Sequence, residues 1–133
     1  MKRLLLGILL ISALVLSGCI GETATKTTAY VPAITVSAAT LIADFEANEI
    51  AADLKYENKI LRVSGIVMRI GKDILDDPYV VIGSDAGEFW GIQCMFNSEY
   101  ALVSLREGRQ VTIEGKCTGY FISAMLRNCV IKQ

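Results

Sequence analysis

Three hydrophobic patterns follow one another along the chain. Residues 4–16 are apolar apart from Gly7 and Ser12, which indicates one continuous hydrophobic segment. Between residues 37 and 58 the apolar side chains recur at helical spacing, and from residue 59 onward short segments alternate apolar and polar positions as strands do. The pattern therefore predicts a hydrophobic leader, one helix and a domain made mainly of strands.

The helical segment is predicted to begin at Ser37, a good N-cap residue, and to end at Asn58. At about 100° per residue its apolar side chains fall on two arcs. The first arc contains Ala38, Leu41, Ile42, Phe45, Ala52 and Tyr56, and the second contains Ala43, Ala47, Ile50, Ala51 and Leu54. One sheet can cover only one of the two arcs. The second arc is therefore expected to be an exposed Ala-rich face or, alternatively, a dimer contact or ligand groove.

Five strands are predicted, at residues 59–73, 78–83, 89–96, 111–119 and 124–132. In the first, Leu61, Val63, Gly65 and Val67 alternate with side chains of the opposite face, and the glycine predicts a bulge or a tight coil. The Gly and Asp of residues 84–88 favour a hairpin turn between the second and third strands.

A short helix capped by Asn97 or Ser98 is predicted between the third and fourth strands. Phe89 and Trp90 are adjacent on the predicted third strand, so their side chains are expected on opposite faces. A long first strand, five strands in all and a helix after the third are typical of the OB-fold. The predicted fold class is therefore mainly β (α+β): a five-stranded OB-fold Greek-key barrel with an N-terminal α-helix.

The hydrophobic leader has the layout of a secretory signal, with Lys2 and Arg3 ahead of the apolar core and small residues at its end. Its 13 residues are fewer than the roughly 20 that a transmembrane helix needs, although a buried helix or permanent anchor is the alternative. The stretch "LSGC" resembles the bacterial lipobox. This resemblance implies diacylglycerol on the sulfur of Cys19, cleavage after Gly18 and acylation of the new amino group.

The expected organisation is a lipoprotein signal peptide at 1–18, a lipidated flexible tether at 19–36 and an OB-fold domain at 37–133. Removal of the leader would change the net charge from −1 to −3, because Lys2 and Arg3 leave with it. A net charge of −3 does not suggest a basic surface that binds nucleic acid. The expected location is the bacterial cell envelope, with lipid holding the protein on a membrane. In a Gram-negative host, Ile20 after Cys19 favours the periplasmic side of the outer membrane.

The β-domain resembles the tRNA-anti-like OB-fold family, found as small bacterial lipoproteins. The segments that carry the resemblance are "NEIAADLKYENKILRVSGIV", "IQCMF", "VTIEGKCTG" and "LRNCVI". It covers residues 38–132, and its most specific part runs from Asn48 to Tyr56 ahead of the first strand. The family name implies similarity to anticodon-binding OB domains, so single-stranded nucleic acid becomes a possible ligand.

OB barrels bind single strands by stacking bases on aromatic side chains of the second and third strands, beside a basic groove. The matching candidate ligand face consists of Tyr79, Trp90, Tyr120, Phe121, Arg69, Lys72 and Arg127. However, Asp73, Asp76 and Asp77, in the loop between the first and second predicted strands, would repel phosphate. The alternative is that these aromatic residues belong to the core and rim of a small barrel.

Catalysis has little support in the sequence, because the chain contains no His and so lacks the commonest general base. The three aspartates of the first loop could hold Ca²⁺, but their spacing is not that of an EF-hand. No C-x-x-C spacing suggests a metal cluster. No enzyme activity, cofactor or metal is therefore expected.

Three cysteines remain once Cys19 is acylated, and they allow three different pairs. Cys94 lies on a strand that neighbours the last strand in an OB-fold, so a disulfide between Cys94 and Cys129 is possible. Cys117 and Cys129 on the last hairpin would need a shifted register. Buried free thiols are the alternative for all three.

Three functions follow from these observations. The favoured one is a non-catalytic binding module for a protein, peptide or glycan. The second is single-stranded nucleic-acid binding, and the third is a hydrolase or sensor that uses the acidic loop. The sequence leaves the oligomeric state open.

Overall fold

The computed structural model describes residues 30–85 and 89–133. The predicted signal peptide at residues 1–18, with its predicted cleavage site at Gly18, and the predicted lipidation site Cys19 lie outside the described residues. Within these residues no helix has the length and apolar character needed to cross a bilayer. The elements in chain order are β1 (Ile34–Ser37), α1 (Ala38–Ala47), α2 (Glu49–Tyr56), β2 (Ile60–Lys72), β3 (Pro78–Gly83), β4 (Ile92–Met95), a 3₁₀ helix (Glu99–Leu102), β5 (Gln110–Tyr120) and β6 (Ala124–Lys132).

Strands β2 to β6 close into a barrel. The sheet order is β1-β2-β3-β4-β6-β5, and β2 also pairs with β5. The first half of β2 pairs with β5 and its second half with β3, both antiparallel. The β4–β6 pairing is parallel, which is the link that closes the barrel. This is the five-stranded OB-fold barrel with an N-terminal helical segment that the sequence predicts.

The interior of the barrel follows the alternation of the sequence. Leu61, Val63, Gly65 and Val67 on β2 are all buried, as are Val111 and Ile113 on β5. The bulge expected at Gly65 lies elsewhere, because the register with β3 shifts between Val67 and Arg69. Gly65 instead permits close packing: a Cβ there would lie 2.8 Å from both the Ala38 Cβ and the Gly83 carbonyl oxygen.

The predicted single helix is in fact two helices that meet at Asn48. This residue is extended (φ −163°, ψ 97°), ends α1 and caps α2, whose Ala51 N–H donates to the Asn48 side chain at 3.1 Å. The first arc is confirmed as the core face, with only Ile42 part-exposed; the second arc is exposed along its whole length. The break at Asn48 changes the direction of the chain and lets both helices pack on the barrel.

The tether prediction needs a correction at its C-terminal end. Ile34–Ser37 form β1, which pairs in parallel with β2 from Leu61 to Ser64. Ser37 is confirmed as the N-cap of α1, because its hydroxyl accepts a hydrogen bond from the Thr40 N–H at 3.1 Å. The sheet therefore begins before the helix, and α1 starts directly from its edge.

Two predicted elements are shorter than expected. β4 begins at Ile92, so Phe89 and Trp90 lie in the loop that precedes it. Both side chains are exposed, and the expectation that they point to opposite faces of a strand is wrong. The short helix after β4 is a single 3₁₀ turn, and Ser98 at its start makes no capping hydrogen bond.

Candidate ligand-binding surface

The loop before β4 presents two aromatic side chains to solvent. Phe89 and Trp90 contact each other edge to face, with ring centroids 4.7 Å apart, and are 79% and 54% exposed. The loop lies directly on the barrel at Gly91, where a Cβ would come within 2.6 Å of the Ile82 carbonyl oxygen. Gly91 therefore allows the backbone beside Trp90 to approach the sheet closely.

The turn between β5 and β6 presents a second apolar group beside this loop. Tyr120 pairs with Ala124 across the hairpin, and its ring stacks on Phe45 of α1 at 5.2 Å. At the tip, Phe121 is 88% and Ile122 57% exposed. We call Phe89, Trp90, Phe121 and Ile122 the aromatic rim.

A cleft of about 270 Å³ opens between α1 and the β5–β6 turn, and we call it the α1 cleft. The residues that line it are Ile42, Glu46, Trp90, Gly91, Tyr120, Ile122, Ser123 and Ala124. Glu46 and Ser123 are the polar side chains, and five of the eight residues have apolar or aromatic side chains, so the cleft suits an apolar group with a polar neighbour. A shallower cleft nearby shares Ile42, Glu46 and Trp90 with the α1 cleft.

A second cleft of about 260 Å³ lies on the outer face of the barrel, and we call it the barrel cleft. It shares Trp90 and Ile122 with the α1 cleft and adds Met68, Arg69, Val81 and Gln93. Arg69 and Gln93 flank Val81 in the sheet register, one on each neighbouring strand. Trp90 therefore stands where an apolar cleft and a more polar one meet.

The structure brings together only part of the predicted ligand face. Trp90 and Tyr120 line the α1 cleft, Arg69 lines the barrel cleft together with Trp90, and Phe121 belongs to the aromatic rim. The other three lie elsewhere. Tyr79 covers Gly71 near the β2–β3 turn, Lys72 is held in ion pairs, and Arg127 lines a separate cleft with Asp77 and Asn97.

Two charged side chains beside Trp90 are available to a ligand. Within residues 30–85 and 89–133, neither Glu46 nor Arg69 forms an ion pair. Lys72, by contrast, contacts Glu99 at 2.6 Å and Asp76 at 3.2 Å, and these carboxylates raise its pKa. The ligand surface thus offers one carboxylate on its helical side and one guanidinium on its barrel side.

The acidic loop between β2 and β3 is held by its own hydrogen bonds. Asp73 accepts from the Leu75 and Asp77 N–H groups at 2.8 and 3.0 Å, and Asp76 pairs with Lys72. Asp73 thus shapes the turn. In the described part of the chain, no three acidic, His or Cys side chains converge in a way that could hold a metal ion.

The three described cysteines are free thiols buried in the barrel. Burial raises the pKa of Cys94 well above its usual value, and a hydrogen bond with Cys129 raises it further. Burial also raises the pKa of Cys117. Gly115 leaves room for the Cys129 sulfur, since a Cβ there would lie 2.6 Å from it. Cys94 and Cys129 are not joined in this structure, and the disulfide between them stays a prediction.

The closed barrel, its parallel β4–β6 pairing and the clefts on its outer surface define an OB-fold protein. The family model tRNA_anti-like matches residues 1–131, and the chain therefore belongs to the tRNA_anti-like family. The family resemblance seen in the sequence is confirmed. A comparison with curated proteins finds no match.

A solved structure with the same fold is described as a "putative nucleic acid-binding lipoprotein" from Klebsiella pneumoniae subsp. pneumoniae MGH 78578. The two chains share 19% identity and superpose with a TM-score of 0.60. The match covers 74% of this chain and 92% of the Klebsiella chain. At this identity the likeness shows the fold that the two proteins share.

Sequence reasoning missed the helical side of the surface. The helical period assigns Ile42 to the core arc, although it is only part-buried, and the sequence gives no signal for Glu46. Their position depends on how α1 packs against the β5–β6 turn, which the periodicity of α1 does not encode. Ile122 did carry a signal, because a large apolar residue in a tight turn has no core to enter.

Proposed function

We propose that the chain is a membrane-anchored lipoprotein of the bacterial cell envelope whose OB barrel is a non-catalytic binding module. The observation that carries the proposal is the set of clefts meeting at Trp90 and bounded by the aromatic rim. With exposures of 79, 54, 88 and 57%, the four rim residues present on the order of 500 Å² of apolar surface. On soluble monomers, patches of this size are often functional.

Three further observations support this function. The Klebsiella protein with this fold is described as a lipoprotein, in agreement with the "LSGC" stretch of this chain. The absence of His from the sequence removes the commonest general base. The unpaired Glu46 lines the α1 cleft and the unpaired Arg69 lines the barrel cleft, so each of the two clefts that share Trp90 offers a ligand one charged side chain.

The binding role is tested by photo-crosslinking in native membranes. A photoreactive phenylalanine analogue replaces Phe121 at the rim or, as the matched control, Tyr100, which is 82% exposed on the 3₁₀ helix. We expect a discrete crosslinked partner from position 121 and none from position 100. Equal products from both positions, or none from either, would contradict the proposed surface.

Trp90→Ala supplies the energetic control for the same experiment. A partner that covers the exposed half of Trp90 buries about 100 Å² of apolar area, worth about 2 kcal/mol. Affinity should then fall by roughly 30-fold, and the crosslinked product from position 121 should nearly disappear. Undiminished crosslinking would show that Trp90 lies outside the contact.

The membrane anchor is tested separately by mass spectrometry of the native protein. We expect an amino terminus at Cys19 that carries diacylglycerol on sulfur and an acyl chain on nitrogen, because two or more chains give stable anchoring. An intact Met1 and an unmodified Cys19 would refute the anchor and the envelope location. The binding surface would be unaffected by that result.

Single-stranded nucleic acid is the second candidate, since exposed aromatic rings can stack bases and Arg69 lies beside Trp90. It predicts oligo-dT binding that weakens between about 50 and 200 mM salt. Arg69→Gln should weaken the binding and reduce its salt slope. No detectable binding at the lower salt concentration would remove this candidate.

A further inference from the structure

The α1 cleft has the dimensions of a site for one side chain. Its volume of about 270 Å³ is just below the range of about 300–1,000 Å³ typical of small-molecule pockets. One wall is the part-buried Ile42 on α1, and the opposite wall is Ile122 at the β5–β6 turn. Such a slot accommodates a single bulky apolar group that extends from a larger ligand.

The charge of the cleft is set by one residue. Glu46 is the sole charged side chain that lines the α1 cleft among the described residues, and it also lines the shallower cleft nearby. No cation within 30–85 and 89–133 forms an ion pair with it. A ligand that fills the slot therefore meets an uncompensated carboxylate.

Trp90 adds a second feature that favours a cation. Its ring is 54% exposed at the mouth of the cleft, and indole faces attract Lys and Arg side chains within about 6 Å. Glu46 and Trp90 line two clefts in common, so one cationic group between them can contact both. Phosphate at the same position would be repelled by the carboxylate.

We propose that the α1 cleft binds a peptide segment of a partner protein in which a bulky apolar side chain is adjacent to Lys or Arg. The apolar side chain enters between Ile42 and Ile122, and the cation lies between Glu46 and the Trp90 ring. This specificity rests on the proposed binding function. It assigns the α1 cleft to a peptide that carries a basic and an apolar side chain. Arg69, which lines the barrel cleft, takes no part in this contact.

Trp90 makes the site directly observable, because it is the only tryptophan of the chain. The full chain in a non-ionic detergent is titrated with a blocked pentapeptide of alternating lysine and phenylalanine while Trp90 fluorescence is recorded. Blocked peptides of alternating glutamate and phenylalanine, and of alternating lysine and serine, test the charge and the apolar group separately. Oligo-dT tests nucleic acid at the same site.

The lysine–phenylalanine peptide should give a saturable change and bind roughly fivefold to tenfold tighter than the glutamate–phenylalanine peptide, as expected when one exposed charge contact changes from repulsion to attraction. The lysine–serine peptide should give no saturable change. Glu46→Gln should reduce the preference, and Glu46→Lys should reverse it. Glu107→Lys, which makes the same change in net charge away from the clefts, should leave the preference intact.

Three results would overturn the inference while the binding function stands. The first is crosslinking from position 121 in membranes with no fluorescence response to the lysine–phenylalanine peptide. The second is a peptide preference that Glu46→Lys and Glu107→Lys change equally, since this would reflect net charge alone. The third is tighter binding of oligo-dT than of any peptide. Absence of both crosslinking and peptide binding would refute the proposed function as well.

Discussion

The hydroxyl of Tyr56 connects the two helices, and its removal is a sharp test of how they are held. Tyr56 on α2 is fully buried, and its hydroxyl donates to the Asp44 carboxylate on α1 at 2.6 Å. Lys55 contacts the same carboxylate oxygen at 2.9 Å. Because α1 forms one wall of the α1 cleft, this link helps to fix the position of Ile42 and Glu46.

Tyr56→Phe removes the donor while the ring can keep its packing against Phe45, whose centroid is 6.1 Å away. Hydrogen bonds to charged groups contribute about 1.5–3 kcal/mol and neutral ones about 0.5–1.5 kcal/mol. The Asp44 side chain is 34% exposed, so water can replace part of the lost bond. We therefore expect a loss of about 1–1.5 kcal/mol, where the two ranges meet.

The measurement is urea unfolding followed by circular dichroism, with Tyr100→Phe as the control. Tyr100 is exposed on the 3₁₀ helix, so loss of its hydroxyl should change stability by less than about 0.5 kcal/mol. Asp44→Ala and the double variant complete a cycle that isolates the Tyr56–Asp44 coupling. Equal stability of Tyr56→Phe and wild type would refute the role given to this hydrogen bond.

The same link predicts a pH dependence. Hydrogen bonds from Tyr56 and then from Lys55 lower the pKa of Asp44 below its ordinary value of 3.8. An interaction that lowers the pKa of a carboxyl group in the folded state stabilises the protein fully at pH values above the ordinary pKa. This stabilisation is lost as the pH falls through the folded-state pKa. The difference between wild type and Tyr56→Phe should therefore be full at about pH 7 and shrink below about pH 3.8. A difference that grows in acid would contradict the assignment.

Three other predictions concern packing, capping and thiol reactivity. Gly65→Ala would place a Cβ 2.8 Å from the Ala38 methyl, and the overpacking should cost about 1–3 kcal/mol in urea unfolding, so an unchanged midpoint would contradict it. Asn48→Ala should cost about 1 kcal/mol because α2 loses its N-cap; a variant as stable as wild type would refute this. Cys94, with its raised pKa and full burial, should react with iodoacetamide only after unfolding, and rapid labelling of the folded protein would contradict its placement.

Much of the barrel could be predicted because its strands are specified by side-chain alternation. The inward side chains of β2 and β5 are the ones that the period of two selects, from Leu61 to Ile113. A slip of one residue would turn each of these side chains out of the core, so the register is strongly determined. The parallel contact of β4 with β6 then follows from the topology of the barrel.

The helical break at Asn48 could not be read from the same kind of pattern. An Asn costs little inside a helix, and apolar spacing continues across it. The break is set by tertiary packing, because Phe45 before it and Tyr56 after it both enter the core. The position of the cap at Asn48 thus depends on the shape of the barrel surface that the two helices cover.

Only some of the residues that line the candidate ligand-binding surface could be read from the sequence, for a related reason. Exposed aromatic residues such as Trp90 and Phe121 can be recognised as candidates from the OB-fold pattern, although the sequence suggested a strand where Trp90 lies in a loop. Glu46 becomes relevant only because α1 packs beside the β5–β6 turn. That relation joins segments more than 70 residues apart in the sequence, and no local pattern encodes it.

Closure of the barrel bears on how copies of the protein behave when they lie close together. Strands β2 to β6 satisfy each other's backbone groups around a ring, so they provide little template for edge-to-edge association. Among the described residues β1 is the strand outside this ring, and it is four residues long with Thr35 and Ser37 facing solvent. A protein built in this way can reach high local density without strand exchange between neighbouring molecules.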